Sequence, residues 1–409
     1  MRRTFYRRVR RMALIALLLA LPTWSLAAFE ETDGIRFGAF SLHPSAYTAI
    51  RYVDNIYFVP NDYEPLNEGS VPQDIESDFV LNIQPGVLLR LRVPTFTAQA
   101  AYKFYNDNYL GTDDPDNRHA LLNASNHTAS GLLDYQSPVG VFVTAQDTYT
   151  AQEAFEPSDV YVDYIVGDQD HNEALGRLGY KYGPETNLYI SGEYKYATDR
   201  YEIAEESDRD LWFGVGDLRL KFFPRTSLVF QGGHGEITYI NNEDSNSVIN
   251  FGLGGLVGQI TPHLQAIVKG GYQTNEYQDG ESGAGFIGNA ELGGVWEPNM
   301  RVAIGYKRSI LDAATTNFYT SDEGYLTFYR LWRERLATEA FVSYQSNEFS
   351  RPFDRHEDFV QARLELTLRM IFWLYTGVGY QYDNKAYDDG DIQNTTERNI
   401  AFVKLVAQF

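Results

Sequence analysis

The chain has no cysteine. That absence excludes a disulfide framework and any thiolate-held metal. Beyond its first residues it also has no run of about 18 consecutive apolar residues, so no helix of it is expected to span a bilayer. Positive charge is scarce, with 34 Lys and Arg against 55 Asp and Glu, for a net charge of −21. Such a balance argues against nucleic acid and against docking on an anionic membrane face. Signatures of chemistry are missing too. No nucleophile elbow or zinc-type spacing accompanies the seven histidines, of which His119, His127, His171 and His356 fall in or near polar connections. Asp113-Asp114-Pro115-Asp116-Asn117 and Asp388-Asp389-Gly390-Asp391 offer oxygen ligands of the type calcium accepts, but neither keeps EF-hand spacing. Solvated loops facing lipopolysaccharide account for them better. Gly232-Gly233 and Gly252-Leu253-Gly254-Gly255 lie within alternating stretches, where glycine permits curvature and close packing against aromatics, and are not phosphate loops. The expectation is a non-enzyme with no catalytic residue, metal or cofactor.

What is present begins with an exported N-terminus. Arg2, Arg3, Arg7, Arg8, Arg10 and Arg11 form a basic region, Met12 to Leu21 an apolar core, and Ser25-Leu26-Ala27 a small-residue cleavage site. Residues 1–27 therefore read as a signal peptide of the Sec type. Its removal takes six arginines and no acids, leaving a net charge of about −27. Residues 28–35 read as a short periplasmic segment.

From 36 to 409 the pattern is repetitive. Pro94, Pro138, Pro184, Pro224, Pro262 and Pro298 recur about 36 to 46 residues apart, each between two stretches of alternating apolar and polar residues. Proline presets a turn dihedral and cannot donate to a ladder. Arg333-Glu334 and Phe372-Trp373 supply two further short turns. On the opposite side the connections read as longer, acidic and rich in Asn, Asp and Gly, as in Asp62 to Asp78, Asp113 to Asp116, Asp199 to Asp210 and Tyr382 to Asp391. Eight short turns and nine long loops predict eighteen strands. The fold class is all-β: a single up-and-down antiparallel transmembrane barrel in the outer membrane of a Gram-negative cell.

The segment 359–370 shows the faces most plainly. Val360, Ala362, Leu364, Leu366, Leu368 and Met370 alternate with Gln361, Arg363, Glu365, Thr367 and Arg369. A one-residue slip would put two arginines into lipid, at about 2–4 kcal/mol each near the midplane, so the register is strongly fixed. Closure removes the exposed edges that a soluble sandwich of eighteen strands would have to protect. With 30 Tyr and 25 Phe, many at strand ends, aromatic girdles are expected. Ala401, Val403, Leu405, Ala407 and Phe409 end the chain on an aromatic residue, resembling the signal read by outer-membrane assembly machinery. Lipid, lipopolysaccharide and that machinery are the expected partners.

With the apolar face outward, an electropositive track of Arg90, Arg92, Arg177, Arg219, Lys221, Arg301, Arg363 and Arg369 is expected in the lumen. Arg51, Lys103, Lys181, Lys195, Lys269, Lys307 and Lys404 share that face with fewer acids: Glu173, Glu193, Asp217, Glu291, Glu339, Glu365 and Asp383. Cations lining a pore lower its barrier to anions. The alternative is that these cations pair with the inward acids into a rigid ladder.

His43-Pro44-Ser45, Tyr52-Val53-Asp54-Asn55-Ile56-Tyr57, Ser77-Asp78 and Ile83-Gln84-Pro85-Gly86 resemble the opening strands of the β-barrel porin 2 family. The hairpin layout is similar throughout, while the specific motifs cover only residues 43–86. The resemblance implies an outer-membrane barrel often linked to exopolysaccharide synthesis and export, with periplasmic export components as partners; the basic track makes an acidic polymer the expected cargo. A general or nutrient porin is one alternative, requiring an inward constriction for which Ala151 to Gly167 is the candidate. A structural or receptor barrel plugged by its loops is another.

Overall fold

The computed structural model describes residues 34–409 apart from 57, 59–74, 112–118, 120–121, 157–164, 184–185, 203–207, 279, 281, 297–298, 314–316, 351–354 and 389–392. The signal-peptide reading, Pro184, Pro298, the two calcium-like clusters apart from Asp388, and the centre of the proposed 151–167 constriction lie outside the described residues.

Strands β1 (Ile35–Phe37), β2 (Phe40–Val53), β3 (Asp78–Val93), β4 (Phe96–Tyr109), β5 (Ala124–Gln136), β6 (Val141–Glu156) and β7 (Ile165–Tyr182) begin the chain. They are followed by β8 (Leu188–Tyr201), β9 (Arg209–Phe223), β10 (Thr226–Tyr239), β11 (Ser247–Gln259), β12 (Leu264–Tyr277) and β13 (Ser282–Trp296). The last are β14 (Met300–Ala313), β15 (Asn317–Trp332), β16 (Leu336–Phe349), β17 (His356–Ile371), β18 (Leu374–Asp388) and β19 (Gln393–Gln408). From β2 onward each strand pairs antiparallel with the next, and β19 returns to β2 with Phe402 opposite Arg51. The eighteen strands thus close into a barrel. The short β1 pairs with the foot of β2, Ile35 opposite Leu42, beyond the point where β19 ends. The extra piece covers an edge that the C-terminus leaves open.

Alternation decides which face is which. Leu364 is 49% exposed and Met370 54%, whereas Glu365 and Thr367 between them are 1% and 3%. The apolar set faces outward and the polar set packs inside, in the register the sequence predicts. Trp296 and Trp332 stand exposed near the short turns. At the other end outward tyrosines meet carboxylates, Tyr149 with Asp170 and Tyr344 with Asp358 at 2.7 Å each. An apolar outer band bounded by aromatic belts around a polar interior makes this an outer-membrane β-barrel. At the Arg333-Glu334 turn both residues have positive φ, 49° and 59°. Two left-handed residues match the strand twist of a tight hairpin.

The acidic connections are shorter than expected. Asp199 lies in β8, Arg209 and Asp210 in β9, and Tyr382 to Asp388 in β18. The ladders run on because inward carboxylates find cations there, as Asp199 does with Arg209 at 2.7 Å.

Candidate functional site

Every residue of the expected track lies on an inward face, but the track is not uniformly free. Arg363 bonds Glu365 at 2.6 Å, and Lys404 reaches the same carboxylate from β19. Arg177 bonds Glu193 through Nε at 2.7 Å. Arg219 chelates Asp217 at 2.9 and 3.1 Å, its guanidinium 4.9 Å from the centre of the Tyr189 ring. Arg301 lies over Tyr329 at 5.8 Å. Arg90, Lys221 and Arg369 are also engaged by neighbours. Arg92 is exposed and holds no ion pair among the described residues. The ladder reading therefore describes Arg177, Arg219 and Arg363. Inward acids beyond those read from the sequence, Asp78, Asp107, Asp199 and Glu357, neutralise further cations. They sit at strand tips, where the sequence gives the composition of a loop.

Depth sorts these groups. At the extracellular end the interior is filled. Val53, Ile56, Val80 and Leu122 form a buried cluster. His119, 2% exposed, sits between Asp78 at 3.0 Å and Glu76 at 2.6 Å. Arg51 pairs with Asp107, which also accepts Asn82 Nδ2 at 2.7 Å. Arg398 lies 4.5 Å from the centre of the Phe58 ring. Arg355 reaches inward onto Glu357 and the rings of Phe349 and Tyr387. Asp54 accepts the backbone N–H and the side-chain amide of Asn399 at 2.6 Å each, tying the tip of β2 to β19.

A second layer completes the filling. The β13–β14 ladder stops at Gly288 opposite Arg308, although β13 runs on to Ser282 and β14 to Ala313. Above that point β14, still paired with β15, leaves the wall and lies across the inner face of β13. A Cβ built on Gly285 would be 3.2 Å from Ile310 Cδ1, and one on Gly283 2.8 Å from the Phe318 ring. Phe318 stacks on Tyr277 with centroids 6.0 Å apart. Gln273 Nε2 donates to the Ile310 carbonyl at 2.9 Å. Asp312 accepts the Tyr239 hydroxyl at 2.6 Å and the Ser247 hydroxyl at 3.1 Å, with Arg209 at 4.0 Å. One carboxylate thus ties this folded hairpin to β9, β10 and β11. A second sheet layer narrows the mouth by roughly 10 Å. The constriction is built from strand ends that nothing in the alternation distinguishes from wall.

At the periplasmic end Arg92, Arg219 and Arg301 are exposed within the lumen, and Lys181, Lys221 and Arg369 stand at similar depth, two or three residues from the short turns. Asp134 and Glu339 share this zone. The lumen is thus packed and charge-paired toward the cell exterior, while its periplasmic end carries the exposed Arg92, Arg219 and Arg301 beside a buried cluster of Ala337, Tyr375 and Val406.

No family model matches the chain, and no curated protein matches it. Among solved structures it is similar to a mutant of the ferric enterobactin receptor PfeA from Pseudomonas aeruginosa, at 10% identity over 90% of this chain and 80% of that one, TM-score 0.48. It is also similar to the ferric-catecholate import receptor Fiu from E. coli, at 8% identity, 91% and 82% coverage, TM-score 0.46. The siderophore receptor PirA from Pseudomonas aeruginosa gives 9% identity, 93% and 81% coverage, TM-score 0.42. These likenesses concern the barrel trace, and no cargo follows from them. The porin 2 resemblance rests on its motifs in residues 43–86.

Proposed function

We propose that this outer-membrane barrel is a receptor-type or gated passage, plugged at rest by its own loops and hairpin, rather than an open diffusion pore. The observation that carries this is the filling of the extracellular mouth by buried, ion-paired side chains and the inward-lying β14–β15 strands, while exposed arginines line a vestibule at the periplasmic end. In low-dielectric walls, fixed cations raise the local concentration of anions. The solute that fits the vestibule is hydrophilic and anionic. Single-channel recording in planar bilayers tests the plugged state. Long closed periods with rare openings are expected, and steady ohmic conduction would leave the open-porin reading standing instead.

A second reading, export of an acidic exopolysaccharide, is supported by the side on which the vestibule opens and by the motifs of residues 43–86. It predicts that an oligouronate blocks current more strongly from the periplasmic than from the extracellular side. Equal block from both sides would remove it.

A further inference from the structure

We infer that the upper arms of β14 and β15, from Ser309 to Ala313 and from Asn317 to Ser321, form a two-position gate, which either lies against the inner wall, as here, or zips onto β13 and becomes part of that wall. This rests on the lumen being the passage, but its structural half can be tested separately.

The wall supplies the second position. Ser282 to Ile287 of β13 keep their β12 partners, Ser282 opposite Glu276 and Ile287 opposite Gly271. Their other edge has no ladder partner among the described residues, an arrangement barrels otherwise abolish. The register that ends at Gly288 opposite Arg308 extends without a break to Ile287 with Ser309, Phe286 with Ile310 and Ala284 with Asp312. Side-chain parity agrees. Ile310 belongs to the same face of β14 as lipid-facing Ile304 and Tyr306, 58% and 46% exposed. In the wall it would stand outward beside Phe286, itself 58% exposed. That face now lies on the inner surface of β13 instead.

The first position is equally specific. Gly283 leaves room for the Phe318 ring, which a Cβ there would meet at 2.8 Å, and a Cβ at Gly285 would come within 3.2 Å of Ile310 Cδ1. Asp312 is the latch, through Tyr239, Ser247 and Arg209. Each position satisfies what the other leaves open: backbone edge groups in one, a buried carboxylate network in the other. Two packings that exchange comparable interactions form a bistable element that a ligand can bias.

The absence of cysteine makes the test clean. Gly285→Cys with Ile310→Cys replaces the two groups now in contact, so a short reversible thiol cross-linker should join them and abolish openings until reductant is added. Ala284→Cys with Asp312→Cys would be neighbours only in the wall register. Cross-linking of that pair, read as a gel shift, is expected to be ready, since Asp312→Cys also releases the latch, and should hold the channel open. Asp312→Asn, which keeps the side-chain volume, should raise the open-to-closed ratio roughly ten- to a hundredfold, as loss of hydrogen bonds to a charged group implies. Retained heat-modifiable mobility on gels identifies folded barrels. If the 284–312 pair never cross-links in folded protein, the gate is overturned, whatever the conductance. If it does cross-link but no state conducts, the passage reading fails while the two positions stand.

Discussion

Glu365 shows how much of the interior rests on single side chains. It is 1% exposed and serves Arg363, Lys404 and the Thr367 hydroxyl at 2.9 Å. Lys404 is itself 3% exposed, and Glu339 lies directly across the ladder from Glu365. Glu365→Gln strands a buried ammonium, and removing one partner of such a pair costs about 3–5 kcal/mol. The temperature at which the folded gel band disappears should fall accordingly. Lys404→Met strands the carboxylates instead. The double variant should lose clearly less than the sum of the two, since the groups compensate one another. Additive losses would mean that the pair contributes little.

At the scale of elements, inward glycines and aromatics interlock across strands. A Cβ on Gly235 would fall 2.2 Å from the Phe213 ring, which stacks on Phe251 at 6.0 Å. Gly252 points outward and meets nothing within 4 Å. Gly235→Val should therefore destabilise the barrel by about 1–3 kcal/mol through overpacking, while Gly252→Val is tolerated. Urea unfolding in detergent, followed by tryptophan fluorescence, compares them; equal midpoints would contradict the interlock. The strands themselves were legible, because a period of two with lipid on one side leaves a strong trace, as in 359–370. Their extracellular ends were not. Asp199, Asp107 and Glu357 have the composition of a loop, and only the cross-strand cations reveal that the ladder continues past them. The folded hairpin left less trace still. Ser309 to Ala313 alternate like any wall segment, and their displacement depends on Gly283, Gly285 and three distant acceptor contacts of Asp312. In the lumen the alternation assigns these cations to the inward face, but it does not tell that Arg177, Arg219 and Arg363 hold acids while Arg92 holds none among the described residues.

Over the whole molecule, a strongly acidic chain encloses a lumen with exposed arginines, Arg92, Arg219 and Arg301, toward its periplasmic end. Selectivity should therefore be set at the periplasmic mouth. In the Asp312→Asn background, reversal potentials across a KCl gradient should favour chloride at about 0.1 M salt, where screening extends about 10 Å, and lose most of that preference near 1 M, where it extends about 3 Å. Changing Arg92, Arg219 and Arg301 together to Gln should move the reversal potential toward neutral or cation preference. The Arg219 change also releases Asp217, which adds to the shift. Arg398 makes the contrasting test. It is as positive as Arg92 but is held by Asp383 at 2.8 Å and 3.1 Å on the packed side. Arg398→Gln should disturb stability more than selectivity. If it shifts the reversal potential as far as the triple change, charge number rather than depth governs permeation, and the periplasmic vestibule has no special role.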